Sequence, residues 1–262
     1  MNANSTYSIG KDHIICEDYA LAYTGPTITY AIVSDGCSAS CDVDFGARCL
    51  AMSAKRELRL KPDQVFDGKS AITNAQRVID IFPYLSSTFL DATLLVACVN
   101  NNTKRLVVSM YGDGVMVHRK KSGVVAIHIQ LSSGAPDYLS YHLDPGRKQG
   151  YESLEDNVKT ITILSEGKLN TGRTGDFAPL DPFFYDTDVV EGDVISVISD
   201  GINSFRKANN DSIPWTDLVE EFTGYKNFEG EFVQRRIAAF KRKCLKEGIT
   251  HSDDISIASV II

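Results

Sequence analysis

Nothing in this 262-residue chain is long and apolar enough to cross a bilayer as a helix, since no hydrophobic run approaches the roughly 20 residues that a span needs. The first residues, Met1-Asn2-Ala3-Asn4-Ser5, are polar and lack the hydrophobic core of a secretory signal. Basic charge is short as well: 27 Lys and Arg face 34 Asp and Glu, a net charge of −7. A chain so balanced has no general means of neutralising nucleic-acid phosphates or an anionic membrane, although Arg235-Arg236 and Lys241-Arg242-Lys243 form a local basic cluster. The six cysteines show no CxxC spacing; Cys37 and Cys41 are four apart, and Cys16, Cys49, Cys98 and Cys244 lie in apolar contexts. That excludes the usual thiolate zinc frameworks and predicts reduced, mostly buried thiols in a cytoplasmic protein. Repeats, low-complexity tracts and charge blocks are lacking.

What is there is a globular composition, 43% hydrophobic and 23% charged, on a chain long enough to bury a substantial core. Tyr7 to Tyr23 is apolar enough for one or two strands. Helical spacing runs from Phe45 to about Leu60, where Lys61-Pro62-Asp63 stops it. A second helix is expected over Ala71 to Ile81, resuming after Pro83. Ala92 to Val99, Arg105 to Tyr111, Val115 to Lys120 and Val124 to Gln130 are β-branched runs, with hairpin connections at Asn100-Asn101-Asn102 and Lys121-Ser122-Gly123. Residues 132–181 are rich in Gly, Pro, Asp and Ser and read as an irregular excursion with one strand, Thr160 to Leu164, the kind of insertion that forms a binding element or flap. Strand character returns over Asp188 to Ile198 and Ile255 to Ile262, with amphipathic helices at Trp215 to Phe222 and Phe232 to Lys246. This order fits a layered α+β domain better than an alternating parallel fold.

Two of the apolar runs end alike. Ile28 to Val33 runs into Ser34-Asp35-Gly36, and Val194 to Ile198 runs into Ser199-Asp200-Gly201. Asp253 opens the last strand, and Glu17-Asp18 closes the first apolar segment. An Asp-Gly pair is by itself a common turn, and Asp113-Gly114, with strand character on both sides, fits a hairpin. After Asp35 and Asp200, however, a polar stretch and a helix follow. Glu17 and Asp18, being adjacent, point to opposite faces of a regular strand. A fold that gathers these strand ends crowds carboxylates, and crowded carboxylates call for a cation. Oxygen donors suit Mg²⁺ or Mn²⁺ rather than zinc. Two such ions about 4 Å apart generate hydroxide near neutral pH and neutralise a phosphoryl group under in-line attack.

These residues resemble the motifs of the metal-dependent type 2C (PPM-type) protein phosphatases, in order and over nearly the whole chain. Cys16-Glu17-Asp18-Tyr19-Ala20, Ser34-Asp35-Gly36, Leu90 to Val96 with Thr93, Tyr111-Gly112-Asp113-Gly114, Ser199-Asp200-Gly201 and Ser252-Asp253-Asp254-Ile255-Ser256 carry the likeness. The resemblance implies one domain over 1–262 in the bacterial-like form. Its fold would be a four-layer α-β-β-α sandwich: two antiparallel sheets flanked by helix pairs, the metals at one end and a flap-like insertion at about 132–181. It implies hydrolysis of phosphoserine and phosphothreonine by a metal-bridging hydroxide. Asp35 would bridge two Mg²⁺ or Mn²⁺ ions; Asp200 and Asp253 would complete one site; Glu17 and the Gly36 carbonyl would hold the other. Asp18 would orient water, and Asp113 with Asp200 would support a weaker third ion. The expected partner is a phosphoprotein, a kinase target, met by a monomer with no nucleic acid and no membrane.

Departures from the pattern concern the phosphate rather than the metals. Where such phosphatases usually carry an arginine, this chain has His13, with Lys11 nearby; imidazole is a poorer phosphate grip than a guanidinium. Cys37-Ser38-Ala39 offers no histidine acid, Gly114 replaces a serine, and Asp254 a frequent asparagine. Two other readings therefore stand beside the first: a pseudophosphatase that binds phosphoproteins, and a phosphatase of small phosphate esters.

Overall fold

The computed structural model describes residues 1–132, 136–154, 158–173 and 181–262. Seven antiparallel strands form one sheet. In spatial order they are β1 (Asn2–Ser8), β14 (Ile255–Ile261), β11 (Val194–Ile198), β6 (Gly114–Lys120), β7 (Gly123–Leu131), β8 (Lys159–Ser165) and β9 (Lys168–Arg173). Five more form the second: β10 (Phe183–Asp188), β5 (Arg105–Tyr111), β4 (Leu94–Asn100), β3 (Ile28–Asp35) and β2 (Asp18–Thr24). A two-stranded ribbon pairs β12 (Phe205–Arg206) with β13 (Thr250–His251). The α-helices are α1 (Val43–Leu60), α2 (Gly68–Gln76), α3 (Pro145–Glu152), α4 (Trp215–Thr223) and α5 (Phe232–Glu247).

Three apolar layers hold these elements together. Between the sheets lie Val33, Leu95, Val108 and Met110 from one side and Met116, Ile127, Ile195, Val197 and Val260 from the other. The outer face of the five-stranded sheet packs Tyr30, Ile32, Leu94 and Val96 against Leu50, Ala54 and Ile72 of α1 and α2. Outside the larger sheet, Val115, Val117 and Ile257 meet Leu218, Phe222, Val233 and Ile237 of α4 and α5. The result is the expected α-β-β-α sandwich. It also explains why β3 reads as an unbroken apolar run: helices cover one face and a sheet the other, so alternate residues have no solvent side.

The chain differs from its sequence reading at several places. The second helix stops at Gln76 and tightens into a 3₁₀ turn over Arg77–Asp80; Pro83, which lacks an N–H, cannot continue it, and turns rather than a new helix follow. Asp188 to Ile198 is not one strand: β10 ends at Asp188, a turn carries the chain across, and β11 begins at Val194 in the other sheet. Of residues 132–181, 133–135, 155–157 and 174–180 lie outside the described residues. The remainder is more regular than the composition suggested, adding α3, a 3₁₀ turn at Leu139–Leu143 and a hairpin, β8–β9, that widens the larger sheet. All six cysteines are free, but they are mostly not buried: Cys244 is buried, Cys41 is exposed, and the other four lie between. None of the helices among the described residues is long and apolar enough to cross a membrane.

Helix α1 approaches the chain before β4 so closely that a Cβ on Gly46 would sit 1.5 Å from the Phe89 carbonyl oxygen. Gly46→Ala is therefore expected to cost about 3 kcal/mol by forcing two backbones apart. Gly150→Ala in α3, where a Cβ meets nothing within 4 Å, should be neutral or stabilise by up to about 1 kcal/mol. Urea denaturation of both variants checks the pair; equal midpoints would contradict the packing.

Candidate functional site

Antiparallel pairing brings alternate strand termini to the same edge, and one edge of this sandwich receives every acid singled out in the sequence. β2 begins at Asp18 and β3 ends at Asp35, opposite one another in register. β11 runs into Ser199-Asp200, and its neighbour β14 starts just after Asp253-Asp254, with Ile198 opposite Ile257. β1 ends there too, Ser8 opposite Ile255, so residues 9–17 cross from one sheet to the other over this edge. Asp113 lies between β5 and β6. Those strands belong to different sheets, so Asp113-Gly114 is a crossover, not a hairpin turn.

Short hydrogen bonds lock the edge. Ser199 Oγ donates to Asp18 Oδ2 at 2.7 Å and accepts from the Ser256 N–H at 2.9 Å, tying the larger sheet to the smaller. Thr93, just before β4, frames Asp35: its N–H donates to the Asp35 carbonyl at 2.8 Å, and its Oγ1 accepts from the Asp35 N–H at 3.2 Å. The Gly36 N–H donates to the Glu17 carbonyl at 3.2 Å. Gly201 lets the Asp200 turn lie against the Asp254 backbone, whose carbonyl oxygen would be 1.7 Å from any Cβ there. This close approach, rather than a tight hairpin, is what the glycine after Asp200 serves.

Asp254 anchors the 9–17 segment. Its buried carboxylate accepts from the Gly10 N–H at 2.7 Å and the Glu17 N–H at 2.5 Å. His13 faces acids on both ring nitrogens: Nε2 is 3.1 Å from Asp253 Oδ1, and Nδ1 is 3.4 Å from both Glu17 Oε2 and Asp254 Oδ2. Ligand atoms of His13, Glu17 and Asp254 all lie within 4.8 Å of one another. Sequence reasoning had not counted Asp254 in the site; its bonds run to residues some 240 positions earlier, which no local pattern reports.

The electrostatics are those of carboxylates in want of a counter-ion. Burial, with the charges of Asp18 and Asp200 beside it, pushes Asp35 well above the usual carboxylate range. Burial likewise raises Asp18 to about 7, against its hydrogen bonds from Asp35 and Ser199. Asp113 is raised well above normal by burial and by Asp200, with smaller contributions from Asp137 and Asp253. Asp253 rises to about 6, through burial and then Asp200. Residues 137–138 bring two groups that the sequence did not reveal. Asp137 is bound by Lys159 and the Tyr151 hydroxyl, and the Tyr138 hydroxyl is pushed up by burial and then by Cys37 beside it. Both lie in the Gly- and Pro-rich excursion, where composition signals a loop and no periodicity marks a partner.

Whether these residues fit a metal can be judged from the oxygens themselves. Asp18 Oδ1 and Asp113 Oδ1 are buried with no hydrogen-bond donor, and Glu17 Oε2, buried as well, has only the His13 ring nitrogen at 3.4 Å. An unpaired buried carboxylate oxygen is costly, and several in one place demand positive charge. The donors are oxygen, with one imidazole at the rim, a set matched to a hard divalent cation.

Neither a protein-family model nor a curated protein matches the sequence. Solved structures do match over almost its whole length. The PPM Ser-Thr phosphatase MsPP from Mycobacterium smegmatis, in complex with cacodylate, aligns with 100% of this chain and 98% of its own at a TM-score of 0.57 and 14% identity. The Mycobacterium tuberculosis serine/threonine phosphatase PstP/Ppp aligns at 0.53 and 13%, covering 99% and 97%. RsbX in complex with magnesium aligns at 0.53 and 14%, covering 98% and 92%. The chain thus has the fold of the PPM serine/threonine phosphatases.

The raised acids fix a pH dependence. Asp18 and Asp253 titrate near 3.8 when unfolded and near 7 and 6 when folded without a cation. Between those values only the folded state holds the protons, so cation-free stability falls as pH rises from about 4 to about 7. A cation must displace those protons and binds better above that window. Mg²⁺ or Mn²⁺ at a hundredfold excess over its Kd should add about 3 kcal/mol at pH 8 and markedly less at pH 5. Thermal unfolding with and without EDTA at both pH values measures this; a cation effect equal at both would refute the assignment.

Proposed function

We propose that this chain is a divalent-cation-dependent phosphatase that hydrolyses phosphoserine and phosphothreonine in proteins. The observation that carries the reading is the set of buried carboxylate oxygens without donors, gathered at one end of a sandwich with the PPM phosphatase fold. The magnesium in RsbX and the oxyanion cacodylate in MsPP add support.

In this reading Asp35, Asp200 and Asp253 would hold one divalent cation, Mg²⁺ or Mn²⁺, Asp35 with Glu17 and the Gly36 carbonyl would hold a second, and Asp113 with Asp200 would hold a weaker third. When bound, such cations activate water and neutralise a phosphoryl group in in-line displacement. The chain's own groups do the rest. Asp18, fixed at Oδ2 by Ser199, keeps Oδ1 free to orient the attacking water and take its proton. His13, at the rim, holds both ring nitrogens on Asp253, Glu17 and Asp254, and would turn one to a phosphate oxygen only once Asp253 and Glu17 are drawn away to cations. Cys37-Ser38-Ala39 supplies no acid, so the leaving alkoxide takes its proton from water. The six free thiols favour a cytoplasmic setting.

One observation favours a second reading. His13, standing where the resemblance implies an arginine, turns both nitrogens to carboxylates rather than toward a phosphate, which suits a phosphoprotein-binding module of the same fold better than an efficient catalyst. Turnover separates the two. With Mn²⁺ the protein should hydrolyse phosphothreonine peptides and p-nitrophenyl phosphate, and Asp35→Asn should lower kcat more than about a hundredfold. Tight phosphopeptide binding by calorimetry without any turnover would establish the binding module instead. Hydrolysis of small phosphate esters alone would point to a metabolite phosphatase.

A further inference from the structure

Beside the candidate site lies a second, self-contained cluster of charge centred on Asp91, which is 4% exposed. Arg147 grips it with both carboxylate oxygens in reach of one Nη2, at 2.9 and 2.8 Å. Ser140 Oγ donates to Oδ1 at 2.6 Å and Ser40 Oγ to Oδ2 at 3.0 Å. The Asp91 carbonyl accepts from the Cys37 N–H at 2.8 Å, and the next residue, Ala92, bridges Gly36. One carboxylate therefore joins three pieces of chain: the loop that follows Asp35, the 3₁₀ turn at Leu139–Leu143, and α3.

Helix α3 depends on this joint. Asp144 caps it through the N–H groups of Gly146 and Arg147 and Pro145 starts it, but it buries one residue, Tyr151, and a Cβ on Gly150 would meet nothing within 4 Å. Apolar burial is confined to Tyr151, stacked on Tyr141 with ring centroids 4.7 Å apart, and polar links add the rest: Arg147 on Asp91, the Arg147 guanidinium 5.0 Å above the Tyr141 ring, and Tyr151 on Asp137. The three apolar layers of the sandwich contain no residue of α3. A helix held this way can be released without unfolding the body beneath it.

We propose that Arg147 is a positioning residue for substrate selection: its grip on Asp91 sets residues 137–152 as a wall beside the Asp35–Gly36–Cys37 loop, against which the polypeptide around a phosphorylated residue rests. This rests on the phosphatase reading. A phosphoprotein reaches past the metal-binding edge and meets the wall; an aryl phosphate is too small to need it. Lysine at 147 would keep the charge but lose the planar fork and the ring stacking.

The test uses the full chain with Arg147→Ala and Arg147→Lys. In Arg147→Ala, hydrogen exchange across 137–152 should quicken by about tenfold, while calorimetric Mn²⁺ affinity stays unchanged. KM for a phosphothreonine peptide should rise by about five- to tenfold with kcat little altered, and both constants for p-nitrophenyl phosphate should hold within about twofold. Arg147→Lys should recover part of the peptide KM. Unchanged exchange, or equal loss on both substrates, overturns the proposal. Faster exchange in Arg147→Ala, beside a wild-type protein that turns over neither substrate, would sink the phosphatase reading and the selection role with it, leaving Arg147 as a clamp alone.

Discussion

Everything at this end of the molecule follows from the cost of packing carboxylates that lack a counter-ion. Asp18, Asp35, Asp113 and Asp253 all resist ionisation in the cation-free fold, and burial is the first cause for each. Such an arrangement opposes folding at neutral pH unless a cation balances it. The sandwich meets that cost with three apolar layers, which leave the edge free to be electrostatically unfavourable. Stability and chemistry are thus kept apart in space: the layers hold the strands, and the strand ends hold the charge.

The topology makes the gathering unavoidable once the sheets form. In an antiparallel sheet, strand starts and strand ends alternate along one edge, so acids placed before β2 and β14 and after β3 and β11 must meet. The bond from Ser199 to Asp18 then fixes the distance between sheets, because it joins the end of a strand in one to the start of a strand in the other. A serine before each of the two Asp-Gly pairs has a different partner: Ser199 reaches Asp18, whereas Ser34 Oγ donates to the Thr93 carbonyl at 2.8 Å within its own sheet. The same tripeptide is a cross-sheet tie in one place and a local brace in the other.

That difference marks what the sequence could carry. Asp35, Asp200 and Asp253 were legible because each follows or precedes a run whose β-branched residues are buried on both faces, and order along an antiparallel sheet does the rest. The helices α1, α4 and α5 were legible from period alone. β10 was not, because six residues at a sheet edge, half-exposed in alternation, carry too weak a signal after a Gly- and Pro-rich stretch. Asp137 and Tyr138 escaped for a related reason: their partners, Lys159 and Cys37, are chosen by the fold and not by spacing. Local patterns report faces, and only tertiary structure reports partners.

Two departures from the phosphatase pattern, His13 and Asp254, meet in space and explain one another. The Asp254 carboxylate receives two backbone N–H groups, Gly10 on Oδ1 and Glu17 on Oδ2. An amide there would satisfy one and turn its own N–H₂ group against the other, so this loop geometry requires an acid. The acid adds a buried negative charge to an edge already rich in them. A guanidinium reaching past it toward a phosphate would be drawn to Asp254, Asp253 and Glu17 instead, whereas the shorter imidazole sits among the same three acids while staying at the rim. His13 and Asp254 thus act together on the 9–17 segment, one through its ring among the acids and the other through its grip on the backbone N–H groups of Gly10 and Glu17.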